Sequence, residues 1–253
     1  MRGHGFTTLP ADPDGAEGWA PYGDDLVRFL DAACPKPLIL AGHSMGAVTS
    51  LSVAPAIPSR VRGLVLVEPV LVPMQGSRPP GERPGPNLAE MAARRRAVFP
   101  SFEAALEAYR GRGAFKSWPD EVIADYLRGG LVPVPGSGDV TLACNPRWEA
   151  KNFSNPRRGA AWIVETVRCP VTVLRAEHGT APQSEVDVIV SSKPSARVVS
   201  VPDASHFLPM EQPQIVREEI LRIAGCLLRP GARPSATSAP QAIAPAQPAS
   251  NSG

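Results

Sequence analysis

The chain has 253 residues, enough for one domain with a substantial core, and a formal net charge of +2, which gives no reason to expect nucleic acid or an anionic membrane as a partner. No apolar run approaches the ~18 residues of a membrane span, and no charged start leads into an apolar segment as in a signal peptide. Cys34, Cys144, Cys169 and Cys226 are scattered without a C-x-x-C, and the four histidines lack an H-E-x-x-H spacing; the expected protein is cytoplasmic, with reduced thiols, no disulfide frame, no metal and no cofactor.

Along the chain, residues 7–21 carry Thr, Pro, Asp and Gly and read as a loop. Leu26, Val27, Phe29 and Leu30 give Asp24–Cys34 the period of an amphipathic helix. Leu38–Ala41 reads as a buried strand, Ala47–Ala56 as a helix, and Leu64–Val67 as a second buried strand, short and branched enough for a parallel sheet. From Pro69 to about Arg168 the pattern changes. A Pro/Gly-rich stretch over 73–87 leads into helical material at Leu88–Val98, Phe102–Tyr109 and Glu121–Leu127, which predicts a helical cap inserted between strands. Arg94-Arg95-Arg96 within it reads as a solvated helix face. Val171–Leu174 is a third strand, Ser184–Val190 a helix, Arg197–Val201 a fourth strand and Gln214–Leu228 a final amphipathic helix. Strands alternating with helices predict an α/β fold with a mostly parallel sheet and flanking helices. The expected organisation is a first core part over 1–70, the cap over 71–168, a second core part over 169–229, and an Ala/Pro/Ser-rich tail over 230–253 too poor in apolar groups to order itself.

Between the first strand and the helix after it stands Gly42-His43-Ser44-Met45-Gly46, a G-x-S-x-G in the strand–turn–helix setting that gives this motif meaning. A serine at the apex of so tight a turn takes a strained backbone, and flanking glycines lack the Cβ that would collide there. The hydroxyl is held out over a helix N-terminus, where the N–H of Met45 can meet a developing oxyanion.

Two further motifs bracket this one. The chain opens Arg2-Gly3-His4-Gly5-Phe6, and near its end runs Asp203-Ala204-Ser205-His206-Phe207, followed by Glu211-Gln212-Pro213. Taken in order with Gly-His-Ser-Met-Gly, these resemble the α/β-hydrolase fold family, whose members typically carry D-x-R-G-H-G, then G-H-S-M-G, then a late G-H-F with E-x-P. The resemblance runs from residue 1 to about 228. It implies that Ser44 is the nucleophile and His206 the general base that takes its proton. His4 belongs to the R-G-H-G loop and reads as structural, His43 as packing or hydrogen-bonding locally, and His178 as a weak candidate for any role. The third member, the acid, usually follows the penultimate strand as an aspartate, where this chain has Arg175-Ala176-Glu177-His178-Gly179-Thr180, with Gly179 in the aspartate's place. Two carboxylates remain. Glu177 lies in that loop; Glu68 ends the strand after the nucleophile helix, where some branches of the family carry their acid. Glu68 is favoured, because a carboxylate ending an apolar strand needs a partner to be tolerated. Asp187 falls on a helix face and does not reach.

A serine at 44 rather than an aspartate implies acyl transfer: ester, thioester, lactone or amide cleavage, or the carbon–carbon hydrolysis that some members perform. Trp118, Trp148 and Trp162, with Phe207 beside the base, would suit a small apolar or aromatic substrate, although aromatics in such positions are more often core. Members of the family also carry strands, and an H-G segment donating a second oxyanion N–H, ahead of the R-G-H-G loop. The expectation is therefore an uncovered sheet edge at Leu38–Ala41, in a chain that is either N-terminally truncated or a homo-oligomer that covers that edge. The leading reading is a serine hydrolase; the alternative is a catalytically impaired remnant acting as a binding module.

Overall fold

The structure, a computed structural model, describes residues 1–15, 18–74 and 87–228. The expected tail over 230–253 and most of the Pro/Gly-rich stretch lie outside the described residues.

In chain order, α1 (Ala20–Ala33) leads to β1 (Leu38–His43), α2 (Met45–Val53) and β2 (Val61–Val67). An inserted segment holds α3 (Leu88–Ala93), β3 (Val98–Phe99), α4 (Phe102–Tyr109), α5 (Asp120–Gly130), β4 (Leu131–Pro133), β5 (Val140–Leu142) and α6 (Pro146–Ser154). The chain then returns through β6 (Val171–His178), α7 (Gln183–Ser192), β7 (Arg197–Ser205), α8 (Leu208–Glu211) and α9 (Pro213–Leu228). The four longer strands form one parallel sheet in the order β1-β2-β6-β7. β2 and β6 are its inner strands, and both faces of β2 are buried, which is why its sequence runs apolar without alternation. Leu64 and Leu66 face one side and join Val171, Val173 and the helix residues Val48, Leu51 and Ile189. Val65 and Val67 face the other and join Leu174, Ala176 and Ile223 of α9. Each such large side chain contributes roughly 1.5–3 kcal/mol on burial. Among the described residues β1 pairs with β2 alone and so stands at an edge of the sheet.

The inserted segment is not purely helical. The helix expected through Val98 ends at Ala93, and Val98–Phe99 pair instead with Val140 and Thr141 in a three-stranded antiparallel sheet, β3-β5-β4. Pro100 follows directly, and the residue before a proline is pushed out of the helical region into extended backbone. The β4–β5 hairpin closes over Pro135-Gly136-Ser137, with Gly136 at φ +77° and the Val134 N–H on the Asp139 carbonyl at 2.9 Å. A cluster of Phe99, Tyr109, Trp118, Ile123 and Leu127 forms this segment's own core. Its end returns to the main body. Trp148 on α6 is buried in the main core, and Asn152 takes the Trp19 indole N–H on its carbonyl at 2.9 Å and the Tyr22 hydroxyl on its side chain at 2.8 Å.

Candidate active site

Parallel strands all end on the same side, so the residues just past their ends gather there. Ser44 follows β1, Glu68 follows β2, Gly179 and Thr180 follow β6, and His206 follows β7. The sheet order sets these four strand ends side by side.

Ser44 sits at φ +56°, ψ −120°, a conformation that non-glycine residues rarely adopt, with its N–H on the Val67 carbonyl at 2.9 Å. The turn is tight at one flank only. A Cβ on Gly42 would stand 2.6 Å from the Ala47 nitrogen and closer still to the Gly46 carbonyl, whereas a Cβ on Gly46 would meet nothing within 4 Å. The expectation of two sterically required glycines therefore holds for Gly42 and not for Gly46. Met45 opens α2, so its N–H has no acceptor within the helix.

The His206 Nε2 is 3.0 Å from Ser44 Oγ, and its Nδ1 is 3.3 Å from Glu68 Oε2. Glu68 is fully buried at φ +43°. Its Oε1 accepts the Ala176 N–H at 2.7 Å and its Oε2 the Thr180 N–H at 2.8 Å. Burial pushes the carboxyl up, but the His206 ring and these two amides outweigh it and hold the group below the ordinary glutamate value. Glu68 is thus an ionised acceptor facing the imidazole.

Gly179 leaves the room that the Glu68 carboxyl occupies. A Cβ at 179 would lie 2.5 Å from Glu68 Cδ and closer to both its oxygens. The carboxylate of Glu68 fills the space where an aspartate in the usual position would begin. Glu177, the alternative acid, is exposed; its Oε2 accepts the Asp203 N–H at 3.1 Å, away from the imidazole. Asp187 accepts the side-chain amide of Gln183 on α7.

One residue at the site was not anticipated. Thr180 Oγ1 lies 2.8 Å from His206 Nδ1, nearer than the glutamate, while its backbone N–H serves Glu68. Only the alignment of β6 with β2 and β7 brings it there, and no local pattern announces a threonine in that role.

The remaining histidines divide as expected. His43 lies 2.7 Å through Nε2 from the His206 carbonyl, and burial lowers its pKa, so it stays neutral and donates that one hydrogen bond. It thereby ties the end of β1 to the backbone at His206. His4 meets the Arg2 carbonyl at 3.0 Å in the opening loop, which Arg2 ties to α1 through two 2.7 Å bonds to Asp25. His178 is exposed. Glu211 accepts the Ser205 N–H at 2.8 Å and the Ser205 hydroxyl at 2.6 Å, and also the Ser117 hydroxyl from the inserted segment. It therefore clamps the residue before His206 and fastens the segment above it.

Of the aromatic residues singled out, Trp118 and Phe207 are near the site. The Phe207 ring stands 5.6 Å from the His206 ring and 5.5 Å from Trp118. Both line a cavity of about 570 Å³ that runs outward under α3 and α4. Trp148 is main-body core and Trp162 is 48% exposed on the surface.

The sequence pattern of the Alpha/beta hydrolase family matches residues 1–219. The chain belongs to the α/β-hydrolase family. The 2-(acetamidomethylene)succinate hydrolase of Mesorhizobium japonicum is 28% identical over 223 residues, which are 87% of this chain and 74% of that protein. The crystal structure of E-2-(acetamidomethylene)succinate hydrolase superposes with a TM-score of 0.70 at 23% identity, covering 88% of this chain and 78% of that one. The thioesterase domain from the curacin biosynthetic pathway gives 0.65 at 18% identity over 87% and 77%. An esterase from Mycobacterium tuberculosis gives 0.61 at 19% identity over 86% and 70%. This α/β hydrolase is accordingly an enzyme of the hydrolase class, esterase-like in its relatives. Among its described residues no helix is long and apolar enough to cross a membrane.

Proposed function

We propose that this α/β hydrolase is a serine hydrolase acting by acyl transfer on a small ester-like apolar substrate, with Ser44 as nucleophile, His206 as base and Glu68 as acid. The observation that carries this reading is the unbroken line from Ser44 Oγ to His206 at 3.0 Å and from His206 to Glu68 at 3.3 Å. As Ser44 attacks a carbonyl, His206 Nε2 takes its proton. Glu68 accepts the Nδ1–H, which keeps the proton on Nδ1 beforehand and stabilises the imidazolium afterwards. The Met45 N–H meets the oxyanion. His206 then returns the proton to the leaving group, and water attacks the acyl-enzyme by the same steps with His206 again as base.

The relatives support acyl transfer, since they are named as a 2-(acetamidomethylene)succinate hydrolase, a thioesterase domain and an esterase. The four cysteines are all free thiols, which supports the cytoplasmic placement proposed for the protein.

A fluorophosphonate probe tests the mechanism. The protein should become labelled at Ser44, and Ser44→Ala should lose both labelling and aryl-ester turnover while keeping its circular dichroism spectrum. An unlabelled protein, or an alanine variant that turns over at the parent rate, would overturn the assignment and favour a binding module that retains the motif.

A further inference from the structure

The cavity beyond Phe207 is lined in an uneven way. Its inner end is aromatic: Phe207, Trp118, Tyr109 and Phe99 stand around it. Toward its mouth, apolar side chains remain open to solvent, with Leu88 49%, Met91 58% and Phe153 44% exposed. With Tyr126, four of the large exposed hydrophobic residues of the described chain thus meet at one cavity, the kind of concentration that marks a binding surface. At about 570 Å³ it falls within the range of small-molecule sites.

Its polar groups are one-sided. Arg95, Arg96 and Arg112 line the cavity with a single carboxylate, Glu149. Glu149 is taken by Arg95 at 2.6 and 2.7 Å, and Arg95 also reaches the Tyr109 hydroxyl at 2.9 Å, so that pair is internally neutral. Arg96 spends only its Nε on the Val98 carbonyl, at 2.9 Å, with its guanidinium 4.7 Å over the Phe99 ring. Neither Arg96 nor Arg112 has a carboxylate partner among the described residues. Among the described residues, two positive charges are left without a carboxylate partner at the edge of an apolar cavity. Aromatic walls and two guanidiniums with no carboxylate partner among the described residues form a site short of acceptors. A ligand completes it by supplying an apolar body and an anionic oxygen pair, the group that a guanidinium binds best.

We propose that this cavity holds the acyl part of the substrate and that this acyl part ends in a carboxylate, held by Arg96 and Arg112 at the mouth. The inference rests on the acyl-transfer reading of Ser44, and its link to that site is Phe207, which lines the cavity with its ring 5.6 Å from the His206 ring. The substrate class is then an ester or related acyl compound of an apolar acid that carries a second, free carboxylate.

Binding to Ser44→Ala protein tests the cavity without any turnover. Octanoate and octan-1-ol share a chain and differ in the terminal group, and calorimetric titration of each reads the preference. Octanoate should bind about tenfold more tightly, and the difference should shrink as salt rises because the mouth is open to solvent. The double variant R96Q/R112Q should bring the two ligands to equal affinity, with its circular dichroism spectrum retained. Arg217→Gln, on α9 and outside the cavity's lining, should keep the preference. Equal binding of the two ligands, binding of neither, or a preference that survives R96Q/R112Q would overturn the proposal. The mechanism is read separately, on wild-type protein with 4-nitrophenyl octanoate and the 4-nitrophenyl monoester of octanedioic acid. Turnover of both esters at equal kcat/KM would refute the carboxylate and leave Ser44 in place. No turnover beside a clear octanoate preference would refute the mechanism and leave the cavity.

Discussion

Gly179→Ala is the smallest change that should disable the proposed acid. The new Cβ would stand 2.5 Å from Glu68 Cδ, where ordinary contact begins at 3.4 Å, so one of the two must move by roughly 1 Å. Glu68 is the side chain that must give way, yet it has nowhere to go. It is fully buried, and its two oxygens are fixed by the amides of Ala176 and Thr180. Its bond to His206 is already at 3.3 Å, the long end of the range, and a further shift of roughly 1 Å takes it beyond hydrogen-bond reach. Without that acceptor the imidazole loses its preferred tautomer, an effect that can cost ~10,000-fold; since Thr180 Oγ1 remains at 2.8 Å, a fall in kcat of ~100–10,000-fold is expected. Displacing a buried carboxylate from an amide also costs about 1–3 kcal/mol, so the thermal midpoint should fall with it. Gly179 does not occupy the left-handed region, so alanine there brings no backbone strain to confuse the result. Aryl-ester kinetics and a melting curve on the one variant give both readings. The converse is sharper: Glu68→Ala should be as impaired as Gly179→Ala, and Glu68→Ala with Gly179→Asp should regain activity, because the vacated space is where the aspartate would enter. Glu177→Gln, a change on the exposed side, should matter little. A Gly179→Ala protein with wild-type kinetics would refute the reasoning, whatever its stability.

Two other outcomes follow from the same geometry. Because Glu68 is held below its ordinary pKa in the folded state, its contribution to stability is fully present above the unfolded value of ~4.3 and is lost as pH falls through the lower folded value; urea midpoints should decline below that unfolded value, less steeply in Glu68→Gln, and parallel curves for the two proteins would show that Glu68 is not the group responsible. The outer edge of β1 has no strand on it among the described residues, and a bare edge of a central-type strand favours pairing with another chain; light scattering across a concentration series should show association, and a monomer mass at every concentration would refute it.

What could be read from the sequence was whatever one stretch of chain decides alone. The apolar runs of β2 and β6 and the glycine–serine turn after β1 are local patterns, and the order of the three motifs identified the family. The hairpin of the inserted segment is hidden because Pro133 ends β4 and Pro135 stands in the turn, and a proline in a short apolar run reads as loop. The helix drawn through to Val98 failed because pairing with β5 outweighs weak helical propensity in so short a piece. The site depends on something no segment contains, the juxtaposition of strand ends. β6 lies between β2 and β7 in the sheet, so the loop after it reaches both Glu68 and His206, and its two residues take complementary parts. Gly179 gives room and Thr180 gives an amide to Glu68 and a hydroxyl contact to His206. Read alone, Gly179 was a missing aspartate. Read against β2, it is the reason a glutamate can stand at 68: a side chain at either position excludes the other, so the acid can occupy one strand end or its neighbour but not both. Positioning the carboxylate one strand nearer to β1 keeps it on the same side of the imidazole, and His206 needs only that its Nδ1–H be met from there while Nε2 faces Ser44.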